Sequence, residues 1–395
     1  MTRVPMRCRA CLAMGLAAVA TTFALSGCLS SEPSGPEHLY VVDADGHNRR
    51  VLVENAGLPA WSPDGMLIAF VSRFSGPSVL EVIAPDGGAR RPLLRARQFS
   101  TIAASWAPDS RRLAVRVNDI EARVPQSVLW LVDVASGKRR RIFGAAQSQV
   151  QEEPPAWSPD GRIIALTTPN PSTRRAPGPE VTAPAPTGRP PGVAPPPPSA
   201  PTPAPPAPPP VPPRPADPTE APLDLMLVRA GEGSSRFVAP SPEDERAPRW
   251  LPDGRSLLVT ASGRASSRLD EVTLDGRRRR LLEGDVLGAA AVSPDGRLVA
   301  VPAIDPRDRR VRPTIVTLTG RSTTIVDLEA QVLSWSPDGR WLAVGSPDGL
   351  YLVSADAQAT RRIAELESPH QFTGIAWSPD GRRLVFSQFH QRIGD

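Results

Sequence analysis

The sequence predicts an all-β protein, a seven-bladed β-propeller of four-stranded blades that is closed by strands from both chain ends. Three observations lead to this fold class. A five-residue turn motif recurs seven times, a short apolar strand follows each copy, and three of the six intervals between copies are 42 or 43 residues. Repeats of this length with four strands each are typical of propeller blades.

The repeated motif is Trp-Ser-Pro-Asp-Gly, which has the chemistry of a tight turn between two strands. Proline presets φ, aspartate suits the next position, and glycine accepts the positive φ that follows. Four copies are complete and three are variants: Trp61–Gly65, Trp157–Gly161, Trp335–Gly339 and Trp377–Gly381, then Trp106–Ser110, Trp250–Gly254 and Val292–Gly296.

We assign the motif residues a structural role, because they are periodic. An acidic ring of the seven aspartates around the mouth of the channel is the alternative. The residues in question are Trp61, Asp64, Gly65, Trp106, Asp109, Trp157, Asp160, Gly161, Trp250, Asp253, Gly254, Asp295, Gly296, Trp335, Asp338, Gly339, Trp377, Asp380 and Gly381.

Each predicted blade is a meander of four strands. The strand after the motif is a continuous apolar run, such as Ile163–Leu166, which indicates burial on both faces. A second pair follows, for example Val128–Val132 before the turn at Ser136 and Gly137. Four strands in each repeat complete one blade.

The chain ends supply the seventh blade. The motif at Trp377 is followed by only one further strand, whereas Leu39–Val42 and Arg49–Val53 form a strand pair with no motif before it. Joining Asp395 to His38 restores an interval of 42 residues between Trp377 and Trp61. We therefore expect one blade to combine both ends, which hides its free strand edges.

The first residues are predicted to direct export. Residues 1–27 combine arginines with an uncharged apolar run that is too short for a membrane span. Leu-Ser-Gly-Cys at positions 25–28 resembles the lipobox of bacterial lipoproteins, which implies a lipid on Cys28, a tether over 28–37 and a propeller over 38–395. The alternative is an ordinary cleaved signal with an incidental cysteine. Cys8 and Cys11 lie in the predicted signal, so their C-x-x-C spacing carries no redox or metal prediction.

Proline is concentrated in one place. Of the 49 prolines, 24 lie within residues 169–222, which we predict to be a disordered insert in the third blade. A spacer, a ligand segment and an expansion without function are all open interpretations of it. The net charge of +5 falls by three when the arginines of residues 1–27 are removed. This near balance disfavours nucleic acid as a partner.

The repeated Trp-Ser-Pro-Asp-Gly, each copy followed by an apolar strand, resembles the TolB-type propellers, to which the propeller domains of prolyl-oligopeptidase relatives are also similar. The resemblance covers nearly all of residues 38–395 apart from the insert. It implies the fold strongly and the function weakly, because propellers carry unrelated activities. The chain departs from TolB in having seven motifs, since TolB-type proteins pair a six-bladed propeller with an α/β domain.

Motifs for catalysis are not found in the sequence: G-x-S-x-G, H-E-x-x-H, a P-loop and G-x-G-x-x-G are all missing. The closing blade could bring His38, His47 and His390 together, although exposed histidines are the favoured interpretation. Asp43, Asp45 and Glu54 loosely resemble a calcium loop, but Gly46 is in the wrong position, which favours a turn. We predict no enzyme activity, no metal and no cofactor.

Arginines cluster where the outermost strand of a blade should begin. On an outer edge, charge discourages edge-to-edge pairing, and a basic surface for anionic lipid or cell-wall polymer is the alternative. The clusters are Arg49–Arg50, Arg90–Arg91, Lys138–Arg141, Arg277–Arg280 and Arg361–Arg362.

Taken together, these features predict an exported, lipid-anchored, monomeric propeller of the bacterial cell envelope. Its anchor would lie in the outer face of the cytoplasmic membrane or in the outer membrane. We expect it to bind a protein or peptide partner without catalysis. The alternative is an envelope enzyme or carbohydrate-binding module with its site at the channel mouth.

Overall fold

A computed structural model describes residues 37–72, 77–96, 101–119, 126–146, 153–173, 221–263, 266–320, 323–366 and 370–390. The predicted signal 1–27, Cys28 and all of the tether except Glu37 lie outside the described residues, as does most of the predicted insert. Within the described ranges, the chain has no helix long and apolar enough to cross a bilayer.

The described residues form seven four-stranded antiparallel sheets, so the predicted seven-bladed propeller is confirmed. From the innermost strand outward, blade 1 contains β3 (Ala56–Trp61), β4 (Ile68–Ser72), β5 (Val79–Ile83) and β6 (Arg91–Arg95). Blade 2 contains β7 (Thr101–Trp106), β8 (Arg112–Asp119), β9 (Gln126–Asp133) and β10 (Arg139–Ala146). Blade 3 contains β11 (Ala156–Trp157), β12 (Ile163–Pro169), β13 (Leu223–Arg229) and β14 (Ser235–Phe237).

The remaining four blades have the same order from the innermost strand outward. Blade 4 contains β15 (Asp244–Trp250), β16 (Ser256–Ser262), β17 (Ser267–Thr273) and β18 (Arg278–Glu283). Blade 5 contains β19 (Ala291–Val292), β20 (Leu298–Ile304), β21 (Val311–Thr317) and β22 (Thr323–Ile325). Blade 6 contains β23 (Val332–Trp335), β24 (Trp341–Ser346), β25 (Gly349–Ser354) and β26 (Thr360–Glu365). Blade 7 contains β27 (His370–Trp377), β28 (Arg383–His390), β1 (Glu37–Asp43) and β2 (Arg50–Glu54).

Blade 7 joins the two ends of the chain, as the sequence predicts. Its strand order is β2-β1-β28-β27, with His38 opposite Gln388 and Val42 opposite Leu384. The strand β1 begins at Glu37, one residue before the predicted propeller boundary. The ring is therefore closed by backbone hydrogen bonds between β1 and β28 rather than by a covalent link.

The hydrophobic core is divided among the seven joints, where a joint is the contact between neighbouring blades. Seven apolar clusters are found, and each combines residues of two adjacent blades. The strand after each motif is buried on both faces, as in β4, whose Ile68, Phe70 and Val71 are nearly inaccessible. Because each sheet is covered on both sides, one blade has no stable core without its neighbours.

The predicted insert 169–222 falls between β12 and β13 of blade 3. Pro169 is the last residue of β12 and pairs with Leu223, and the Asn170 amide donates to the Pro222 carbonyl at 3.0 Å. The ordered blade therefore extends a few residues into both ends of the predicted insert. Residues 174–220 lie outside the described residues. Since the two ends are in contact, the blade is complete.

The motif turns form the first belt of contacts between blades. In five copies the motif serine donates its hydroxyl to the motif aspartate, as Ser62 does to Asp64 at 2.6 Å. Gly65 has a φ of +73° and lies against Pro379 of the preceding blade. Ser110 takes the glycine position in blade 2 with a φ of +57°, and its hydroxyl accepts the Asp64 amide.

The motif tryptophans form a second belt. Five indoles donate Nε1–H to the carbonyl just before the motif of the preceding blade: Trp106 to Ala60, Trp157 to Ser105, Trp250 to Ala156, Trp335 to Ala291 and Trp377 to Ser334, at 3.0 to 3.2 Å. The belt is interrupted at two joints. Val292 replaces the indole in blade 5, and the buried Trp61 Nε1 has no hydrogen-bond partner among the described residues.

Arginines form a third belt, on the outer side. Five arginines of outermost strands donate to a carbonyl just after the third strand of the next blade: Arg50 to Pro85, Arg140 to Ala230, Arg236 to Leu274, Arg279 to Leu318 and Arg361 to Ala44, at 2.7 to 3.0 Å. The sequence-based interpretation as edge charge alone misses this role. These guanidinium groups connect blades as well as charging an edge.

The indole belt gives a test of its contribution to stability. Trp106→Phe removes the bond to Ala60, whereas Trp61→Phe removes a buried N–H that has no acceptor. Both indoles are similarly buried, so the loss of volume is comparable. We expect Trp106→Phe to lower the unfolding free energy by about 1 kcal/mol more than Trp61→Phe. Urea unfolding followed by circular dichroism measures this, and equal urea midpoints for the two variants would contradict it.

Candidate functional site: the central channel

Residues of all seven blades, most of them in or next to the innermost strands, line a cavity of about 290 Å³ on the propeller axis. Every blade contributes to its wall. The lining residues are Leu58, Pro59, Ala60, Ala103, Ala104, Pro154, Arg249, Gly288, Ala289, Pro302, Gln331, Val332, Leu333, Thr373, Gly374 and Ile375. Most of these residues are small or apolar, which keeps the channel open and poor in polar groups.

The two uncharged polar side chains of the lining are already engaged. The Gln331 Oε1 accepts the Phe372 amide at 2.7 Å. The Thr373 hydroxyl donates to the buried Glu37 carboxylate and lies 2.5 Å from the Ser387 hydroxyl. The lining therefore offers a ligand few free hydrogen-bonding groups apart from Arg249.

Among the described residues that line the channel, Arg249 is the one that carries a charge. It follows an irregularity in β15, where the register shifts between Arg246 and Arg249 and Ala247 has a φ of +50°. Its Nη1 donates to the Pro248 carbonyl at 3.2 Å, and the described residues give it no ion pair within 4.0 Å. A guanidinium has five N–H donors, so this single hydrogen bond uses a small part of the donor capacity of Arg249.

Arg249 lies in a largely desolvated region that contains the carboxylate of Glu153. Arg246 lies 4.0 Å from the Glu153 carboxylate, whose buried Oε2 has no hydrogen-bond partner in the part of the chain that the structure describes. Arg116 is almost fully buried and donates to Ser127 and to the Thr167 carbonyl. Burial lowers the pKa of Arg249, and the charge of Glu153 opposes that shift.

A buried ion network lies at the joint of blades 3 and 4. The Glu245 Oε2 accepts the Leu225 amide at 2.7 Å, and its Oε1 accepts from Arg278, which also pairs with Asp270. Burial raises the pKa of Glu245 to about 7, although Arg278 opposes the shift.

The root of the insert is tied to the same joint. Asp224 is fully buried and accepts hydrogen bonds from Asn170, Thr173 and the Ser241 amide. Asn170 and Thr173 come just before the part of the insert outside the described residues. The insert thus leaves the blade from a fixed position.

The motif aspartates do not line the channel. Each accepts a backbone amide two residues further along the turn, as Asp160 accepts that of Arg162 at 3.0 Å. The Ser158 hydroxyl, with the Arg162 amide, holds the pKa of Asp160 below its ordinary value. These carboxylates are therefore structural parts of the turns, and the described channel lining includes none of them.

Three of the four histidines lie on paired strands of blade 7, and the fourth, His47, lies apart from them in a turn. His370 is opposite His390, and His38 is opposite Gln388, two positions from His390. His47 is exposed in the turn between β1 and β2, where its amide donates to Asp45. That turn is also where Asp43 and Asp45 lie. Across the described part of the chain, no group of three or more histidine, cysteine, aspartate or glutamate side chains could hold a metal.

Sequence comparison relates the chain to TolB. A family model described as the TolB beta propeller domain matches residues 29–174, and one for the WD domain, G-beta repeat, matches 313–356. The Tol-Pal system protein TolB of Bordetella pertussis is 32% identical over 247 residues, which is 62% of this chain and 53% of that protein. The chain spans about half the length of the curated relatives it matches. The predicted resemblance to TolB-type propellers is confirmed.

Solved structures of proteins with other activities have a fold similar to that of this chain. The structure of an oligogalacturonate lyase in complex with manganese aligns with a TM-score of 0.60 at 12% identity, and the alignment covers 91% of this chain and 99% of the lyase chain. The structure of the acylaminoacyl peptidase of Pyrococcus horikoshii aligns with a TM-score of 0.56 at 14% identity, and the alignment covers 83% of this chain and 48% of the peptidase chain. At such identities the likeness shows a shared propeller fold alone.

The buried network predicts a pH effect on stability. Because the pKa of Glu245 is raised from its ordinary value of 4.5 to about 7 in the folded state, its contribution to stability is lost as pH rises between these values. Glu245→Gln removes that loss. We expect the unfolding free energy of the variant, measured relative to that of the unsubstituted protein, to rise by up to about 3 kcal/mol between pH 4.5 and pH 8.

A neighbouring glutamate provides the control for this prediction. The hydrogen bond from Arg268 lowers the pKa of Glu243 in the folded state. The unfolding free energy of Glu243→Gln, measured relative to that of the unsubstituted protein, should therefore fall as pH rises. Urea midpoints at the two pH values measure both variants. Glu245→Gln changing stability equally at pH 4.5 and pH 8 would show that Glu245 titrates normally.

Proposed function

We propose that this chain is an exported propeller of the bacterial cell envelope that binds a protein or peptide partner and is not itself an enzyme. The observation that carries the proposal is the sequence similarity to the Tol-Pal system protein TolB, at 32% identity over 247 residues. The relative's name places it in a multi-protein system. A propeller of related sequence is a reasonable component of such an assembly.

The channel supports a binding role through its chemistry. Its walls are mostly apolar, and Gln331 and Thr373 are already hydrogen-bonded within the protein. Catalysis of acyl or glycosyl transfer needs a nucleophile or an acid–base pair that faces the substrate. Arg249 supplies charge recognition instead, which suits a binding site.

Lipid attachment at Cys28 is the second part of the proposal. Its support is the Leu-Ser-Gly-Cys sequence directly after the apolar run of residues 1–27. The described propeller begins at Glu37, so a lipid at Cys28 would hold the ring close to the membrane surface. The anchor would lie in the outer face of the cytoplasmic membrane or in the outer membrane, with one propeller per anchor.

An envelope enzyme or carbohydrate-binding module is the second candidate. The observation that favours it is the cavity on the propeller axis, which is the place where a substrate would bind. An oligogalacturonate lyase and a peptidase with the same fold illustrate that propellers take part in enzymes. Turnover of a polymer by the purified chain would favour this candidate.

One experiment in intact cells tests anchor and partner together. The full chain with a C-terminal affinity tag is compared with Cys28→Ser after palmitate labelling and formaldehyde crosslinking. We expect palmitate on the unsubstituted chain alone, with recovery from membranes, and the same crosslinked protein in independent preparations.

The two outcomes are separable. Palmitate labelling that persists in Cys28→Ser would refute the anchor. A correctly labelled chain that yields no reproducible crosslinked protein would refute partner binding while leaving the anchor intact.

A further inference from the structure

One face of the propeller carries all seven motif turns. Neighbouring motif turns are in contact, as Gly65 is with Pro379 and Gly161 is with Pro108, and the Ser110 hydroxyl joins the turns of blades 1 and 2. The turns therefore form a continuous ring on one side of the molecule, the motif face. Because adjacent strands of a blade are antiparallel, the turns between third and fourth strands lie on this face as well.

The opposite side, the tether face, holds the start of β1 and the end of β28. Glu37 is paired with Phe389 at this end of blade 7. The other end of β1 reaches the motif face, where the Ala44 amide donates to the Arg382 carbonyl at 2.8 Å. The residues that precede Glu37, including Cys28, are therefore joined to the tether face.

We propose that the propeller, when anchored through Cys28, stands with its tether face toward the bilayer and its motif face directed away from it. This inference rests on the proposed function, because it takes a lipid on Cys28 as the anchor. It adds which surface of the ring meets the membrane and which surface stays open to a partner.

The short reach of the tether favours this orientation. Glu37 comes nine residues after Cys28, and a fully extended chain of that length spans about 30 Å. The seven residues of β1 span about 20 Å between the two faces. A tether that brought the motif face to the bilayer would use most of its reach in returning along blade 7.

The motif face is rich in exposed arginine. Six of the seven motifs are followed directly by an exposed arginine, and Met66, which is 67% exposed, takes that place in blade 1. Attraction of these arginines to anionic headgroups would turn the motif face toward the bilayer, which is the competing orientation. The six residues are Arg111, Arg162, Arg255, Arg297, Arg340 and Arg382.

The root of the insert has a defined place in the proposed orientation. Pro169 ends the second strand of blade 3 and is paired with Leu223 at the start of the third, so both lie on the tether face. The side chains of Asn170 and Thr173 donate to the buried Asp224 at 2.8 and 2.7 Å, which fixes this root. The insert therefore leaves the ring on the side that faces the membrane.

Vesicles with a chemically supplied anchor test the orientation. In the chain from Cys28 onward, which contains the whole described propeller, Cys28 is the only cysteine. Its thiol is coupled to a maleimide lipid in phosphatidylcholine vesicles that also contain a rhodamine-labelled lipid as energy acceptor. A fluorescein donor is attached to a keto amino acid that replaces either Arg277 or Glu283, both exposed.

The two donor positions lie at opposite ends of β18, Arg277 on the motif face and Glu283 on the tether face. We expect energy transfer to be about twofold stronger from position 283, because the strand between the two positions spans about 20 Å. Blade 4 lies across the ring from blade 7, so a ring that stood on its edge would give equal transfer. Unchanged urea midpoints establish that the labelled chains fold.

A control moves the anchor to the other face. Cys28→Ser combined with Asp45→Cys places the single thiol in the exposed turn after β1, on the motif face. This variant should invert the order, with stronger transfer from position 277. Vesicles in which phosphatidylglycerol replaces part of the phosphatidylcholine should leave the order of the Cys28-anchored chain unchanged.

Each outcome decides the proposal. Equal transfer from the two positions, stronger transfer from 277, or a reversal in anionic vesicles would overturn it. An Asp45→Cys anchor that fails to invert the order would also overturn it, because an affinity of one face for lipid would then set the orientation. Palmitate labelling in cells decides the anchor separately: its persistence in Cys28→Ser would reject that part of the proposed function whatever the vesicles show.

Discussion

Packing between neighbouring blades is the interaction on which the rest of this structure depends. Each sheet is covered on both faces, so its apolar residues are buried only when both neighbours are in place. Three belts of polar contacts reinforce these joints, one from the motif turns, one from the indoles and one from the outer arginines. The motif is therefore a device for joining blades as well as for turning the chain.

Closure of the ring determines what the channel can do. Residues from all seven blades form a channel wall that is mostly small and apolar, and an irregularity in β15 brings Arg249 to that wall. The blade that carries the proline-rich insert keeps its own pairing, because Pro169 and Leu223 are directly opposite.

The blade count and the closing blade could be predicted because their signals are local and periodic. Trp, Pro, Asp and Gly at fixed positions give each turn, and the interval across the chain ends gives the closure. The cross-blade arginine contacts could not be predicted, because Arg140 and Ala230 are far apart in sequence and meet only in the ring. Arg249 was missed for the same reason. Its sequence neighbours carry no motif, and its isolation is visible only when seven inner strands are assembled.

Closure by the two chain ends is the central claim, and a crosslink between β1 and β28 tests it most directly. Asp43 is opposite Arg383, and paired residues of antiparallel strands are about 4.5–5.5 Å apart at Cα, within the range of a disulfide. In the full chain with Cys8, Cys11 and Cys28 replaced by serine, the Asp43→Cys and Arg383→Cys pair should oxidise within one molecule and raise the unfolding free energy by about 2–4 kcal/mol. Asp43→Cys combined with Asp338→Cys, in different blades, should not. An Asp43–Arg383 pair that stays reduced, or oxidises only between molecules, would contradict the closed ring.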